Sequence, residues 1–417
     1  MSTPDGPTDL VGMRERNLAL VLAEIDRSQP VTRARLAELT GLTKTTVSAQ
    51  VAALTGLGIV SADDPVPGGR GRPGAPVSVA SGPIAGLGLE INVGYLSACV
   101  VDLTRQVRIR RTVARAEAGD RPQDAVAALA NLARLVTRQA RRAGLVLAGT
   151  TVAVPGVIDG KLVNAPNLRW DALPAADFLS DAIPSRPLPI TVDNEANLAA
   201  LAELWFGAGP GLGDYVHVSS ETGIGAGIVV SGALFRGAHG AAGELGHVIV
   251  APDGPPCRCG GRGCLEQVAG LDALLSVAGI RVPAGANSDA ATLGTAVPDR
   301  PPGAGAAELV RRLEAGDRRA LDAARQAGRG LGVALVAVAN LFDPASIVLG
   351  GLHAQIAPWT TPHIAAALEA GGGRLRGRSP VLRTSEVADG AVLGAAGEVV
   401  ARILADPLAV ARQERAR

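Results

Sequence analysis

Residues 243–266 read GELGHVIVAPDGPPCRCGGRGCLE and hold three of the chain's four cysteines. Cys257, Cys259 and Cys264 crowd together downstream of His247. In a reducing compartment such crowding reads as metal binding before disulfide. Three soft thiolates and one imidazole make a closed tetrahedral set, so His247, Cys257, Cys259 and Cys264 are expected to hold a structural Zn²⁺ with no position left for water. Gly260, Gly261 and Gly263 let a short loop fold back so that the sulfurs converge. The loop should place Glu244, His247 and Glu266 relative to one another. With one His247 nitrogen on the metal, the other can face a ligand hydroxyl with its tautomer fixed.

Outward from this loop the pattern is α/β. From Ile84 onward, short apolar strands alternate with helices. Residues 84–103 (IAGLGLEINVGYLSACVVDL) and 215–235 (YVHVSSETGIGAGIVVSGALF) each read as strand, glycine turn, strand. Such a repeat far apart in one chain predicts two related lobes with a cleft between them. Residues 281–305, rich in Ala, Gly and Pro, read as a surface loop; helix returns at 306–341, followed by a buried strand at Ser346–Leu349 and Gly350-Gly351. Cys99, alone in an apolar run, is a small core residue.

The N-terminal portion differs. Residues 14–60 are helical in period, with Leu18, Val21, Leu22 and Ile25 on one face of a first helix. A second helix runs from about Thr32, its N-cap, to Thr40, and Gly41 makes a sharp turn. A third helix from Thr43 turns Val47, Val51 and Leu54 inward. Ala37, Gly41 and Val47 have helix-turn-helix spacing. The outward face of the third helix is expected to carry Thr43, Lys44, Thr45, Thr46, Ser48 and Gln50, suited to phosphates and base edges in a major groove. Residues 61–76 (SADDPVPGGRGRPGAP) end this unit, and Arg70 and Arg72 among flexible glycines fit a wing that enters a minor groove. Residues 14–75 carry eight basic and six acidic side chains, so surface chemistry and spacing, rather than net charge, carry the DNA reading.

Bulk composition excludes several classes. The 417 residues suffice for two or three domains. Aromatics are only 2%, so Val, Leu, Ile and Ala must build the interior. A net charge of +1 rules out a uniformly basic DNA binder but not a local patch. No apolar run reaches the roughly 20 residues a membrane span needs, and the N-terminus, with Asp5 and Asp9, is unlike a signal peptide. A cytoplasmic location with no membrane partner is expected.

From about residue 84 onward the sequence resembles the ROK family of sugar kinases and repressors. The matching pieces are Val154-Pro155-Gly156, Asn164-Ala-Pro-Asn167-Leu168, Val192-Asp-Asn-Glu-Ala-Asn197, Thr222-Gly-Ile-Gly-Ala-Gly227, Gly243-Glu-Leu-Gly-His247 and the cysteine loop. With the helix-turn-helix in front, it is similar to the repressor branch. The resemblance implies two actin-like, ribonuclease H-like lobes with sugar in the cleft. Asn194, Glu195, Glu244, His247 and Glu266 would then contact the sugar. Carboxylates, an amide and an imidazole can bracket vicinal hydroxyls; Asn194 and Glu195 also read as the start of a helix over Ala196–Glu203. The expected organisation is a disordered tail at 1–13, a winged helix-turn-helix at 14–80, a first lobe at 81–195 with the C-terminal helix 391–417 packing back on it, and a second lobe at 196–390.

Three departures from the kinases of this family stand out. Their Asp-Ile-Gly-Gly-Thr-Lys becomes Glu90-Ile91-Asn92-Val93-Gly94-Tyr95, and Val suits a phosphate-cradling turn poorly. Their Asn-Asp becomes Asn194-Glu195, placing the general-base carboxylate one methylene further out; a misplacement of about 1 Å costs on the order of 100-fold in rate. Glu221 stands where the second phosphate turn has Gly and would repel ATP. Thr222, Gly223, Gly225 and Gly227 remain, but tight packing explains them equally well. The expectation is a regulator that binds sugar or sugar phosphate without efficient phosphorylation, acting on operator DNA as a homodimer or homotetramer. The alternative is an active ATP-dependent sugar kinase, with Glu195 as its base.

Overall fold

The computed structural model describes residues 10–62, 75–115, 121–159, 162–183, 189–207, 212–220, 223–281, 303–372 and 377–409. The N-terminal head comprises helices α1 (Leu10–Ser28), α2 (Arg33–Thr40) and α3 (Lys44–Gly56) with strands β1 (Val31–Thr32), β2 (Val60–Ala62) and β3 (Pro76–Val79). Helix α1 starts at Leu10, so residues 10–13 join it rather than the expected tail. Thr32 caps α2 by accepting the Arg35 amide, and Gly41 closes it at φ 71°, a left-handed turn that glycine enters without strain. Leu18, Val21, Leu22, Ile25, Leu36, Val47, Val51 and Leu54 are all buried in the head's core. The strands form an antiparallel sheet in the order β1-β3-β2, so β2 and β3 pair on either side of residues 63–74, where the expected wing lies outside the described residues. That segment is not a tether to the rest of the chain; the head's last strand is followed within a few residues by the first strand of the next unit.

That unit holds β4 (Ile84–Ile91), β5 (Tyr95–Asp102), β6 (Val107–Ala114), α4 (Pro122–Arg142), β7 (Val146–Val154), β8 (Val157–Asp159), β9 (Leu162–Ala165), β10 (Trp170–Leu173), α5 (Ala175–Ala182) and β11 (Thr191–Asn194). Its main sheet runs β11-β7-β4-β5-β6, with β4, β5 and β6 antiparallel and β7 and β11 added parallel to β4. Helix α4 starts on Pro122, carries Asp124 in its first turn and Arg141 and Arg142 in its last, and buries Val126, Leu129, Leu132 and Val136.

The second unit holds α6 (Glu195–Phe206), β12 (Tyr215–Ser220), β13 (Ile224–Val230), β14 (Ala233–Phe235), α7 (Glu266–Ala269), α8 (Leu271–Ala278), α9 (Ala304–Glu314), α10 (Arg318–Phe342), β15 (Ser346–Leu349), α11 (Gly351–Gln355), α12 (Ala357–Ala370) and β16 (Val381–Thr384). Its sheet, β14-β13-β12-β15-β16, repeats the first: three antiparallel strands, then two added in parallel. The two glycine-turn segments are thus equivalent hairpins of two like lobes, the α/β architecture expected. No helix among the described residues is long and apolar enough to cross a membrane.

Helix α13 (Gly390–Ala405) returns to the first lobe. It lies so close to β4 that a Cβ on Gly86 would sit 2.6 Å from the Ala396 carbonyl oxygen, and one on Gly88 2.5 Å from the Ala396 amide nitrogen. Its far half carries Val399, Val400, Ile403 and Leu404 into one core with Leu18, Val21, Leu22 and Ile25 of α1. Head and first lobe therefore share a single apolar core. The β5–β6 turn adds a fork: Arg105 Nη1 and Nη2 donate to Asp26 Oδ1 and Oδ2 at 2.6 and 2.7 Å. Two parallel charge-assisted bonds fix orientation as well as distance.

A shared core unfolds as a unit. Ile403, fully buried there, is expected on replacement by Ala to cost about 2–5 kcal/mol. Hydrogen exchange should show α1 and β5 losing protection together. Loss in the head alone would contradict the shared core.

Candidate functional site

The cysteine loop converges as its spacing implies. His247 ends a short 3₁₀ turn, Leu245–His247, and Glu266 opens α7. The Cys257 sulfur is 3.7 Å from His247 Nδ1, and the Cys259 and Cys264 sulfurs are 3.7 Å apart. All four candidate ligand atoms lie within 4.8 Å of one another. Tetrahedral zinc with bonds of about 2.3 Å to sulfur holds its ligands about 3.8 Å apart, so the cluster fits a metal of that size and geometry. Gly260 and Gly263 take positive φ (90° and 68°) to close the loop, whereas Gly261 does not. Burial and the neighbouring thiols push Cys264 up to about 12, while backbone amide donation, first from Gly261, lowers Cys259. Three sulfurs this close cannot all ionise without a cation between them.

With Nδ1 turned toward the sulfurs, His247 Nε2 lies 3.9 Å from Glu244 Oε2. Burial, reinforced by Glu266, raises the Glu244 carboxyl; His247 opposes it. Glu266 Oε2 accepts the Ile224 amide at 3.4 Å. A Cβ on Gly223 would fall beside both Glu266 Oε2 and Asn167 Nδ2, so β13, α7 and the turn after β9 meet at one point. Glu244, His247 and Glu266 are thus brought together. Asn194 is largely committed elsewhere: its Oδ1 caps α6 by accepting the Ala196 and Asn197 amides (2.7 and 3.2 Å), and its Nδ2 donates to Gly156 O (2.8 Å). Only one amide proton remains for a sugar.

Glu195 faces a cavity of about 700 Å³ between the lobes. Glu90, Asn92, Tyr95, Arg115 and Glu203 line its buried part. Tyr95 Oη donates to Glu90 Oε1 at 2.6 Å, both buried. Two of the turn's own amides are engaged: Asn92 N donates to Tyr95 O and Gly94 N to Asn92 Oδ1. Arg115, instead of reaching outward, donates to the Asn92 carbonyl. Glu203 accepts from the Ser385 hydroxyl beside His217. Gly225 and Gly227 face Ala196 and Ala200 of α6 with no room for a Cβ, so helix–strand contact accounts for them. Glu221 and Thr222 lie outside the described residues.

Asn167, Arg169, Arg258, Asp272 and Asp389 also line the cavity and were not singled out by sequence. Asn167 and Arg258 sat inside quoted motifs, a signal that could have found them. Nothing in the local sequence marks Asp389, whose role comes from the fold.

On the head, Thr43, Lys44, Thr45 and Ser48 are exposed and Thr46 half-buried. Thr43 caps α3 by accepting the Thr46 amide, and the two hydroxyls are 2.9 Å apart. Gln50 corrects the expectation: it is 5% exposed, because it lies three residues after Val47 on the same inward stripe. Arg70 and Arg72 lie outside the described residues.

Burial holds the imidazoles of His217 and His353 down to about 4. Both stay neutral in the fold, while the unfolded chain protonates them near 6.5. Stability is therefore complete above about pH 6.5 and is lost as pH falls toward 4, by roughly 3 kcal/mol per histidine if each drops from 6.5 to about 4. Replacing His353 with Phe should flatten this acid limb of the urea-unfolding midpoint by about half. An unchanged slope would show that other groups govern it.

Comparison with known proteins places these features together. The ROK family pattern matches residues 86–397. The xylose repressor of Bacillus subtilis (strain 168) is 29% identical over 345 residues, covering 82% of this chain and 83% of that protein. A glucokinase of Halalkalibacterium halodurans is 36% identical over 209 residues, 49% of this chain and 61% of its own. Among solved structures, a ROK family transcriptional regulator described as a homologue of the E. coli MLC protein is 26% identical. It covers 97% of this chain and 99% of its own with a TM-score of 0.76. A ROK family glucokinase from Streptomyces griseus, in complex with glucose and AMPPNP, is 27% identical. It is covered to 98%, but matches 75% of this chain, with a TM-score of 0.60.

Proposed function

Since this chain belongs to the ROK family, we propose that it is a sugar-responsive transcriptional repressor of carbohydrate uptake or catabolism genes, acting in the cytoplasm. One observation carries the reading. A helix-turn-helix head shares its core with a two-lobed cleft, and the phosphate turn of that cleft is closed by its own hydrogen bonds. The matched regulator spans nearly the whole chain, head included, whereas the matched kinase spans three quarters of it.

Thr43, Lys44, Thr45, Thr46 and Ser48 meet DNA in this reading, with Arg70 and Arg72 supplied by the wing. Two heads of a dimer or tetramer grip a palindromic operator about one helical turn, roughly 34 Å, apart. His247, Cys257, Cys259 and Cys264 hold a structural zinc whose chemistry is to neutralise three thiolates and brace the loop. Glu244, Glu266 and the remaining amide proton of Asn194 bind sugar hydroxyls, and His247 presents its Nε2 beside Glu244. Glu195 faces the ring without acting as an efficient base. Sugar occupancy changes the lobe–lobe arrangement, and the head follows because it is built on the first lobe's own core. A sugar with equal affinity for both arrangements shifts nothing.

Four experiments test this reading. Lys44→Ala should weaken operator binding in a filter assay and lower its salt slope by about one, with sugar affinity unchanged. Release of operator DNA should follow addition of a binding sugar; sugar binding with no effect on operator affinity breaks the proposed coupling. Cys259→Ser should release metal and loosen the sugar response, and a metal-free variant with full response contradicts the bracing role. Glu195 at the kinase base position keeps a rival in view. Incubation with ATP, Mg²⁺ and a hexose panel that yields phosphorylated sugar at ordinary turnover would establish the kinase instead.

A further inference from the structure

The residues proposed to meet sugar come from both lobes, and one side chain joins the two groups. Asn194 ends β11 of the first lobe and Glu195 follows it, whereas Glu244 and His247 come after β14 of the second. Arg236 stands directly after β14 and reaches across to Asp193, the residue before Asn194. Its Nη1 donates to Asp193 Oδ1 at 2.8 Å and its Nη2 to Oδ2 at 2.6 Å. A guanidinium fork on a carboxylate fixes direction as well as distance. The pair does between the lobes what Arg105 and Asp26 do between the head and the first lobe.

Both partners are built into their surroundings. Asp193 is 6% exposed, and its Oδ1 also accepts the Asn194 amide at 2.7 Å and Asn197 Nδ2 at 3.3 Å. This carboxylate therefore shapes the turn from β11 into α6 on which Asn194 and Glu195 stand. On the second lobe, the Arg236 carbonyl accepts the Ala242 amide at 3.1 Å, closing the loop just before Gly243 and Glu244. The same loop rests on the first lobe: a Cβ on Gly240 would collide with the Ile158 carbonyl oxygen of β8. The cluster extends to α13. Burial and Asp193 raise the Glu398 carboxyl of that helix, and Arg236 and Arg402 oppose them.

We propose that Arg236 is a positioning residue for the sugar site: through Asp193 it locks Asn194 and Glu195 of the first lobe against the segment of the second that carries Glu244 and His247. The inference rests on the sugar-responsive reading above and deepens it. With the fork in place, the two groups face each other before sugar arrives. Without it, part of the binding energy goes into ordering them.

The test uses the full-length protein, calorimetry and hydrogen exchange. The probes are xylose, glucose, N-acetylglucosamine and the 6-phosphates of the last two. For a probe that binds the wild type, Arg236→Gln should weaken binding by about 10-fold or more, the worth of a charge-assisted hydrogen bond. Asp193→Asn should do the same, and the double variant should bind no worse than either single one, because the two side chains act as one unit. Arg236→Lys keeps the charge without the fork and should recover part of the loss. Bound metal should stay at the wild-type ratio throughout. With no sugar present, the amides of Asn194, Ala196 and Ala242 should exchange faster in Arg236→Gln than in the wild type. Wild-type sugar affinity in Arg236→Gln, or losses that add in the double variant, overturn the positioning role and leave the sugar-responsive reading standing. Affinity lost only in step with bound metal makes Arg236 purely structural and overturns the role too. Unchanged exchange at the three amides overturns it whichever sugar is used. If no probe binds the wild type, the sugar-responsive reading falls, and the positioning role with it.

Discussion

Gly86 and Gly88 strip strand β4 of side chains on one face, and helix α13 occupies the space they leave, with backbone atoms nearly touching. Side chains at those two positions would lift the helix from the sheet. The consequences spread from there. Because α13 lies flat on the first lobe, its far half presents Val399, Val400, Ile403 and Leu404 as the floor on which α1 of the head is built. Its near end, Gly390 and Ala391, forms part of the wall of the interlobe cavity. The same rod therefore touches the ligand space at one end and the head's core at the other.

The cleft shows how a phosphate site can be closed without loss of the fold. The strand–turn–strand frame around Glu90 and Tyr95 persists, with the ladder between β4 and β5 intact. What changes is where the polar groups point. Amides that would face a phosphate bond inward to Tyr95 O and Asn92 Oδ1, and a carboxylate–phenol pair fills the space. A buried carboxylate in a region of low dielectric opposes a polyphosphate at short range far more strongly than a surface charge does. The Cys257–Cys259–Cys264–His247 cluster works on geometry: it gathers a loop of glycines that carries Glu244, His247 and Glu266 close together.

Local rules made much of this readable. The head's three helices follow from the period of Leu18, Val21, Leu22 and Ile25 and from the caps at Thr32 and Gly41, all short-range effects. The duplicated lobes follow from two like strand–turn–strand segments, and the cysteine–histidine cluster from four side chains with few other reasons to crowd. The misreadings are tertiary. Gln50 has the chemistry of a base reader, yet helical geometry puts it on the stripe of Val47 and Val51. The wing read at Arg70 and Arg72 lies outside the described residues, and composition does not reveal that Val77, beyond it, pairs with both Ala62 and Val31. The commitment of Asn194 to Gly156 O, and the arrival of Asp389 at the cavity, join residues far apart in sequence and leave no local trace.

How binding reaches the head is then a question of stiffness. Asp389 lines the cavity, precedes α13 in a left-handed conformation, and pairs with Arg110 of β6 at 3.3 Å. On the other side of the same sheet edge, the β5–β6 turn holds α1 through Arg105 and Asp26. Two connections thus run from the cavity wall to the head: α13 itself, and strand β6, paired at its middle with Asp389 and joined by the preceding turn to Asp26. Neither passes through a flexible tether, so a lobe rotation cannot be absorbed before it reaches α1. Packed interfaces of this kind change by switching between discrete arrangements rather than by bending. Moving such a two-state balance from 1:99 to 99:1 takes about 5.5 kcal/mol of differential binding. Hydrogen bonds to ionised groups contribute roughly 1.5–3 kcal/mol each, so a few made in only one arrangement of the cleft reach that scale.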